Sequence, residues 1–154
     1  MDQMFQNLVK VYPQLENIKA AWDVSEEFSN TYPKLSFYLK YYVVLNLDPE
    51  LKNGPLDSPV RKWVFSVLQE LKKIKPVIGE FDENYIELKK FIIQRIFACD
   101  EDYNKSNFYP ELISNYLKLA TMLKCLTVFD IPSIEITKIN EMGKIISQAY
   151  CFKS

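Results

Sequence analysis

The stretch Ser58-Pro59-Val60-Arg61-Lys62-Trp63-Val64-Phe65-Ser66-Val67-Leu68-Gln69-Glu70-Leu71-Lys72-Lys73-Ile74 decides the fold class. Val60, Val64, Val67, Leu71, Ile74 and, just beyond, Ile78 recur three and four residues apart, the period that lines one face of an α-helix. Ser58 before Pro59 marks the start: serine suits an N-cap, and a proline in the first helical position gives up an amide that has no partner there anyway. Outward from this segment the same spacing returns in Leu35, Tyr38, Tyr42, Leu45, in Phe81, Tyr85, Leu88, Ile92, in Leu112, Tyr116, Leu119, Leu123, Leu126, and in Ile139, Met142, Ile146, Ala149. A further stripe, Leu8, Val11, Leu15, Ile18, Trp22, runs through Pro13, which either kinks one helix or separates two.

Prolines at positions 13, 33, 49, 55, 59, 76, 110 and 132 punctuate these stripes, because each removes an amide donor and disfavours helix in the residue before it. Thr31 or Tyr32 before Pro33, Asp82 before Tyr85, and Asp130 or Ser133 around Pro132 are the other expected helix starts. No alternating period-two run with turn dipeptides occurs, so the chain reads as all α. Connections are short except around Asp48 to Asp57, and short connections force neighbouring helices antiparallel, giving an up-and-down bundle. Pro76 and Gly79 should end one helix just before the next begins, which divides the chain into residues 1–79 and 80–154. Each half alone has little core, so the two are expected to share an interface and form one rigid unit.

Composition narrows the chemistry. The 154 residues are 48% apolar and 14% aromatic, enough for a packed core, and there is no histidine, which removes the commonest general base and the imidazole metal ligand. Three glycines, never two in one short loop, cannot build a phosphate-cradling backbone of the P-loop or dinucleotide type. Nineteen basic against 20 acidic residues, a net charge of -1, lack the positive excess that drives binding to a phosphate backbone. Cys99, Cys125 and Cys151 are odd in number and lie in apolar runs, as buried thiols of a reducing compartment do. The most apolar run, Tyr41 to Leu47, is interrupted by Asn46 and closed by Asp48 and Pro49, too short for a bilayer. The N-terminus lacks the basic region and apolar stretch of a signal peptide, so a cytoplasmic chain is expected, with no enzymatic activity and no cofactor.

Few side chains suggest a site. Asp100, Asp102 and Asn104 alternate and Glu111 follows eleven residues after Asp100, part of the pattern of a calcium-binding EF-hand loop, but Lys105 stands where the sharp turn needs glycine and Pro110 adjoins the glutamate. A calcium-responsive helical protein is thus the second reading, and a helical scaffold with an unrelated partner the third. Glu26 with Glu27 and Asp82 with Glu83 are adjacent, point to different helix faces and read as solvated surface, as do Lys72, Lys73, Lys75, Lys89 and Lys90. The aromatic content is the unusual feature. Pairs such as Phe37-Tyr38, Tyr41-Tyr42 and Phe108-Tyr109 cannot both face inward on a helix, since neighbours stand about 100° apart, and tyrosine suits a protein contact.

The order of these motifs resembles a family: the N-terminal domain of the cofactors that stimulate the vacuolar-sorting AAA ATPase of the ESCRT pathway. Phe37-Tyr38-Leu39-Lys40-Tyr41-Tyr42 looks like the family's aromatic, aromatic, any, basic, Leu-Tyr signature, and Val60-Arg61-Lys62-Trp63 and Leu68-Gln69-Glu70-Leu71-Lys72-Lys73 follow in order. Phe97-Ala98-Cys99-Asp100-Glu101-Asp102, Phe108, and the run from Tyr116 to Thr127-Val128-Phe129 are similar in spacing. The resemblance implies two tandem three-helix MIT modules packed as one body, which bind helical C-terminal tails of ESCRT-III subunits in grooves between helices during multivesicular body sorting. It places the first groove beside Tyr38, Tyr41, Tyr42, Val60, Trp63 and Val64. The second falls beside Phe108, Leu112, Tyr116, Leu119, Lys144, Ile145 and Gln148, with Met142 where the family has tyrosine. Further implications are a monomer at the endosome periphery, only indirect membrane association, and engagement of the ATPase through a C-terminal region that is not among these residues.

Overall fold

The computed structural model describes residues 2–47, 58–105, 110–129 and 141. Every element bounded among them is helical, in accord with the all-α reading, and no strand occurs among them. The elements are α1 (Asp2–Val11), a 3-10 turn (Pro13–Leu15), α2 (Glu16–Glu27), α3 (Pro33–Asn46), α4 (Pro59–Ile78), α5 (Phe81–Asn104), α6 (Pro110–Lys124) and a second 3-10 turn (Cys125–Val128). The chain divides into two compact units, Met1–Gly79 and Glu80–Ser154. The expected long connection Asp48 to Asp57 and the expected last helix, with Ile139, Met142, Ile146 and Ala149, lie outside the described residues, as do Cys151 and the start expected around Pro132.

Pro13 separates rather than kinks. Helix α1 stops at Val11, Tyr12 leaves helical geometry at φ -118° and ψ 89°, and Pro13 opens the short 3-10 turn that leads into α2. The break rotates Val11 out of the predicted stripe, leaving it 70% exposed while Leu8, Leu15, Ile18 and Trp22 stay buried. Proline occupies the first helical position of α3 and α4, behind Tyr32 and Ser58. Ser58 accepts a backbone bond from Lys62 at 3.0 Å but its hydroxyl makes no capping bond. Helix α5 begins two residues earlier than expected: Glu80 is the cap and Asp82 lies inside the first turn, where with Glu83 it meets the positive end of the helix dipole.

In the first unit α3 lies between α2 and α4. Leu35 through Lys40 are all buried, which a one-sided stripe cannot explain; a helix covered on several sides is apolar all round. The predicted stripe of α3 accordingly shifts, with Leu39 and Val43 inside and Leu45 45% exposed. On α4 the stripe holds: Val60, Val64, Val67, Leu71 and Ile78 are buried. The centre of the unit is aromatic. Trp63 of α4 lies 5.0 Å from Phe5 of α1 and 4.8 Å edge-on from Trp22 of α2, and Phe5 and Trp22 are 5.3 Å apart. All three rings are inaccessible to solvent. The core of the second unit is Leu88 and Ile92 of α5 against Leu112, Tyr116, Leu119 and Leu123 of α6, closed by Leu126 and by Phe129, whose ring lies 4.7 Å from Phe81 and 5.2 Å from Tyr85.

Pro76 does not end α4, which continues to Ile78. In the final turn the missing amide removes one bond and little follows it, so the cost of proline is smaller than in mid-helix. Gly79 ends the helix, at φ 96° and ψ -167°, a region open to glycine alone.

Two outcomes test this account. Gly79→Ala should destabilise the protein by about 1–3 kcal/mol in urea unfolding, because a β-carbon cannot enter that backbone region without strain. Trp63→Ala should cost about 3–5 kcal/mol, read from the remaining tryptophan, Trp22, whose emission then reports the first unit alone.

Candidate functional site

The residues expected to form the first groove separate into two groups. Tyr38 and Trp63, with Val60 and Val64, are core: none is more than 3% exposed, and Trp63 is wedged between Phe5 and Trp22. Its indole N–H is buried with no acceptor among the described residues, a cost of about 1–3 kcal/mol. Tyr41 and Tyr42 are half-buried and reach the surface. The Tyr41 ring stacks parallel to that of Phe37 at 6.5 Å, and Phe37 in turn meets Tyr38 edge-on at 5.0 Å. Burial pushes the Tyr42 hydroxyl above its ordinary pKa, and a hydrogen bond with Asn46 brings it part of the way back.

In the second unit Leu112, Tyr116 and Leu119 are brought together on one face of α6, and that face is buried. Phe108, Lys144, Ile145 and Gln148 lie outside the described residues. The Tyr116 hydroxyl donates to Asp100 Oδ1 at 2.8 Å, tying α6 to the end of α5. Burial, then the hydrogen bond to Asp100 and its charge, push that phenol far above its ordinary pKa.

The same geometry bears on the calcium pattern. Asp100, Asp102 and Asn104 belong to α5. Residues two apart on a helix stand about 200° round the axis from one another, so alternation there spreads the carboxylates instead of converging them. Asp100 is engaged by Tyr116, Lys105 pairs with Glu101 on the same helix, and no three cysteine or carboxylate side chains gather around a metal position among the described residues. The remainder of the expected loop, residues 106–109, is not described.

Glu26 also departs from its expected place. Read from sequence as solvated surface, it contacts the buried ammonium of Lys40 at 3.1 Å, and Glu70 approaches the same ammonium at 3.6 Å. Lys40 is 5% exposed and its Nζ lies 5.2 Å above the Trp22 ring, so a lysine is held inside the unit by two carboxylates and an aromatic face.

Sequence reasoning missed a surface on α5. Its buried side chains Asn84, Leu88, Ile92, Ile96 and Cys99 form one stripe. Ile86 and Phe97 are 67% and 66% exposed, and Ile93 is half-buried. At about 100° per residue Ile86, Ile93 and Phe97 fall within some 40° of one another on the side opposite the core. Lys90 and Glu101 border them. The signal was present in the doublets Ile92-Ile93 and Ile96-Phe97, since adjacent helical residues cannot both face one core.

No protein-family model matches the chain, and no curated protein matches it. No described helix is long and apolar enough to cross a membrane.

The titrating groups yield a pH dependence. Burial raises the thiols of Cys99 and Cys125, as it raises the phenols of Tyr42 and Tyr116. Each therefore keeps its proton to higher pH when folded than when unfolded. The stability they contribute is complete below the ordinary values, 9.0 for the thiols and 10.0 for the phenols, and is lost as pH rises from there toward the folded values. Thermal melts should thus show falling Tm above about pH 9. Tyr116→Phe should cost about 1 kcal/mol at neutral pH, through the lost Asp100 bond, and flatten the decline above pH 10.

Proposed function

We propose that this protein is a non-catalytic adaptor domain that binds helical C-terminal tails of ESCRT-III subunits and links them to the vacuolar-sorting AAA ATPase, acting in the cytoplasm at the periphery of endosomes. The observation that carries the reading is the second apolar stripe of α5. A helix whose inner face is already packed spends no folding energy on a further row of Ile86, Ile93 and Phe97, and large apolar side chains aligned on an outer face are the feature that a partner helix recognises. The motif order that resembles the tandem MIT cofactors and the all-helical fold support the same reading.

The physics is helix-on-helix recognition. A few leucines of an amphipathic tail cover Ile86, Ile93 and Phe97, each contributing about 1.5–3 kcal/mol, offset by the cost of ordering a tail that is disordered when free. Charges on the tail meet Lys90 and Glu101 at the border of the stripe. The surplus corresponds to micromolar affinity, about 8 kcal/mol, which suits reversible remodelling of a filament. Of the aromatic residues expected in the first groove, Tyr41 and Tyr42 are the accessible ones; Tyr38 and Trp63 serve by fixing the helices that present them.

Titration of the labelled protein with peptides from ESCRT-III C-termini tests the proposal. Ile86→Lys and Phe97→Lys, both at exposed positions, should leave helicity unchanged and each weaken binding by about tenfold or more. Saturable binding that is indifferent to both substitutions would remove α5 as the docking face, and no binding of any such peptide would remove the adaptor reading.

A further inference from the structure

We propose that the outer face of α4 docks on an anionic membrane surface, where it meets the headgroups of acidic phospholipids. This face belongs to the first unit and is independent of the helix-docking reading, which concerns α5.

The charges define what can lie against it. Five of the 19 basic residues, Arg61, Lys62, Lys72, Lys73 and Lys75, stand on this one helix, in a chain whose net charge is -1. At about 100° per residue Lys62, Phe65, Lys72 and Lys73 fall within some 100° of one another, on the side opposite the buried row of Val60, Val64, Val67, Leu71 and Ile78, with Lys75 about 60° further round. All four lysines are exposed and none meets a carboxylate among the described residues, whereas Lys19 pairs with Asp23 and Lys105 with Glu101. The one acidic residue of α4, Glu70, lies on the inner side and approaches Lys40. What complements the outer face is therefore an extended surface of negative charge, about 20 Å long, the rise from Lys62 to Lys75 at about 1.5 Å per residue.

Apolar side chains among these charges select a bilayer over a soluble acidic segment. Phe65 is 53% exposed on the helix surface between Lys62 and Lys72, and Val77 is 84% exposed near Lys73 and Lys75. A large ring flanked by ammoniums suits the membrane boundary: the ring enters between headgroups and acyl chains, while the lysine stems lie along it and keep their charges among the phosphates. The face is the convex crest of a helix, and the recess that α4 borders, lined by Glu70, Leu71 and Ile74, lies on its other side. An acidic peptide would need such a recess to seat its side chains, whereas a fluid layer of headgroups needs none. The four exposed cations are lysines, point charges that ask no fixed geometry of their counterions; arginine better serves recognition of one particular carboxylate.

The test is sedimentation of the whole chain with vesicles of phosphatidylcholine alone and with vesicles in which a third of the lipid is phosphatidylserine. Binding to the serine-containing vesicles, falling as salt is raised, is expected, and none to phosphatidylcholine alone. Lys72→Glu combined with Lys73→Glu, both at exposed positions, should leave helicity unchanged and weaken binding by about tenfold or more. Phe65→Ser, which leaves every charge in place, should weaken it by about fivefold. Equal binding to both vesicles, no binding to either, or undiminished binding in either variant would each overturn the assignment. Polyglutamate that binds the chain but not the double lysine variant, with the vesicles inert, would overturn it in favour of an acidic protein partner.

Discussion

The first unit depends on the meeting of three rings, Phe5, Trp22 and Trp63, contributed by three different helices. Helices α1 and α2, of 10 and 12 residues, are too short to persist in water on their own, and what holds them is the apolar face each buries. Three large aromatics with no solvent access supply much of that burial at one point, so the directions of α1, α2 and α4 are set together. The indole N–H of Trp63, which meets no acceptor among the described residues, is the cost of this arrangement, set against the burial of three large rings.

Lys40 extends the same cluster toward the surface. Its ammonium lies over Trp22 and between Glu26 and Glu70, so this charged cluster stands on the aromatic core. A buried ion pair of this kind contributes little net stability against an apolar replacement, yet losing one partner is costly. Packing fixes where the ammonium stands, and the two carboxylates offset its charge there.

The second unit divides its apolar residues differently. One stripe of α5 closes on α6, the other faces outward, and the bond from Tyr116 to Asp100 fastens the two helices near the end of α5. A surface of this kind is a liability for a protein that stays alone and an asset for one that meets another helix. The two units thus offer different chemistries, an apolar ridge on one and a basic face on the other.

The all-α class, the helix starts at Pro33 and Pro59, and the buried face of α4 and of α6 were legible in the chain, because a 3.6-residue period and proline's missing amide are local properties that no distant contact needs to complete. Periodicity could not show that Tyr38 and Trp63 are enclosed while Tyr41 and Tyr42 reach the surface, nor that Asp100 and Asp102 diverge on a helix. It could not show that Glu26 and Glu70, 44 positions apart, close on one lysine. Those outcomes depend on which helices stand beside α3 and α5, and a stripe records only that a face is apolar, not what covers it. Burial of a side chain and convergence of charges are properties of the space between helices, and that space exists only once the chain has folded.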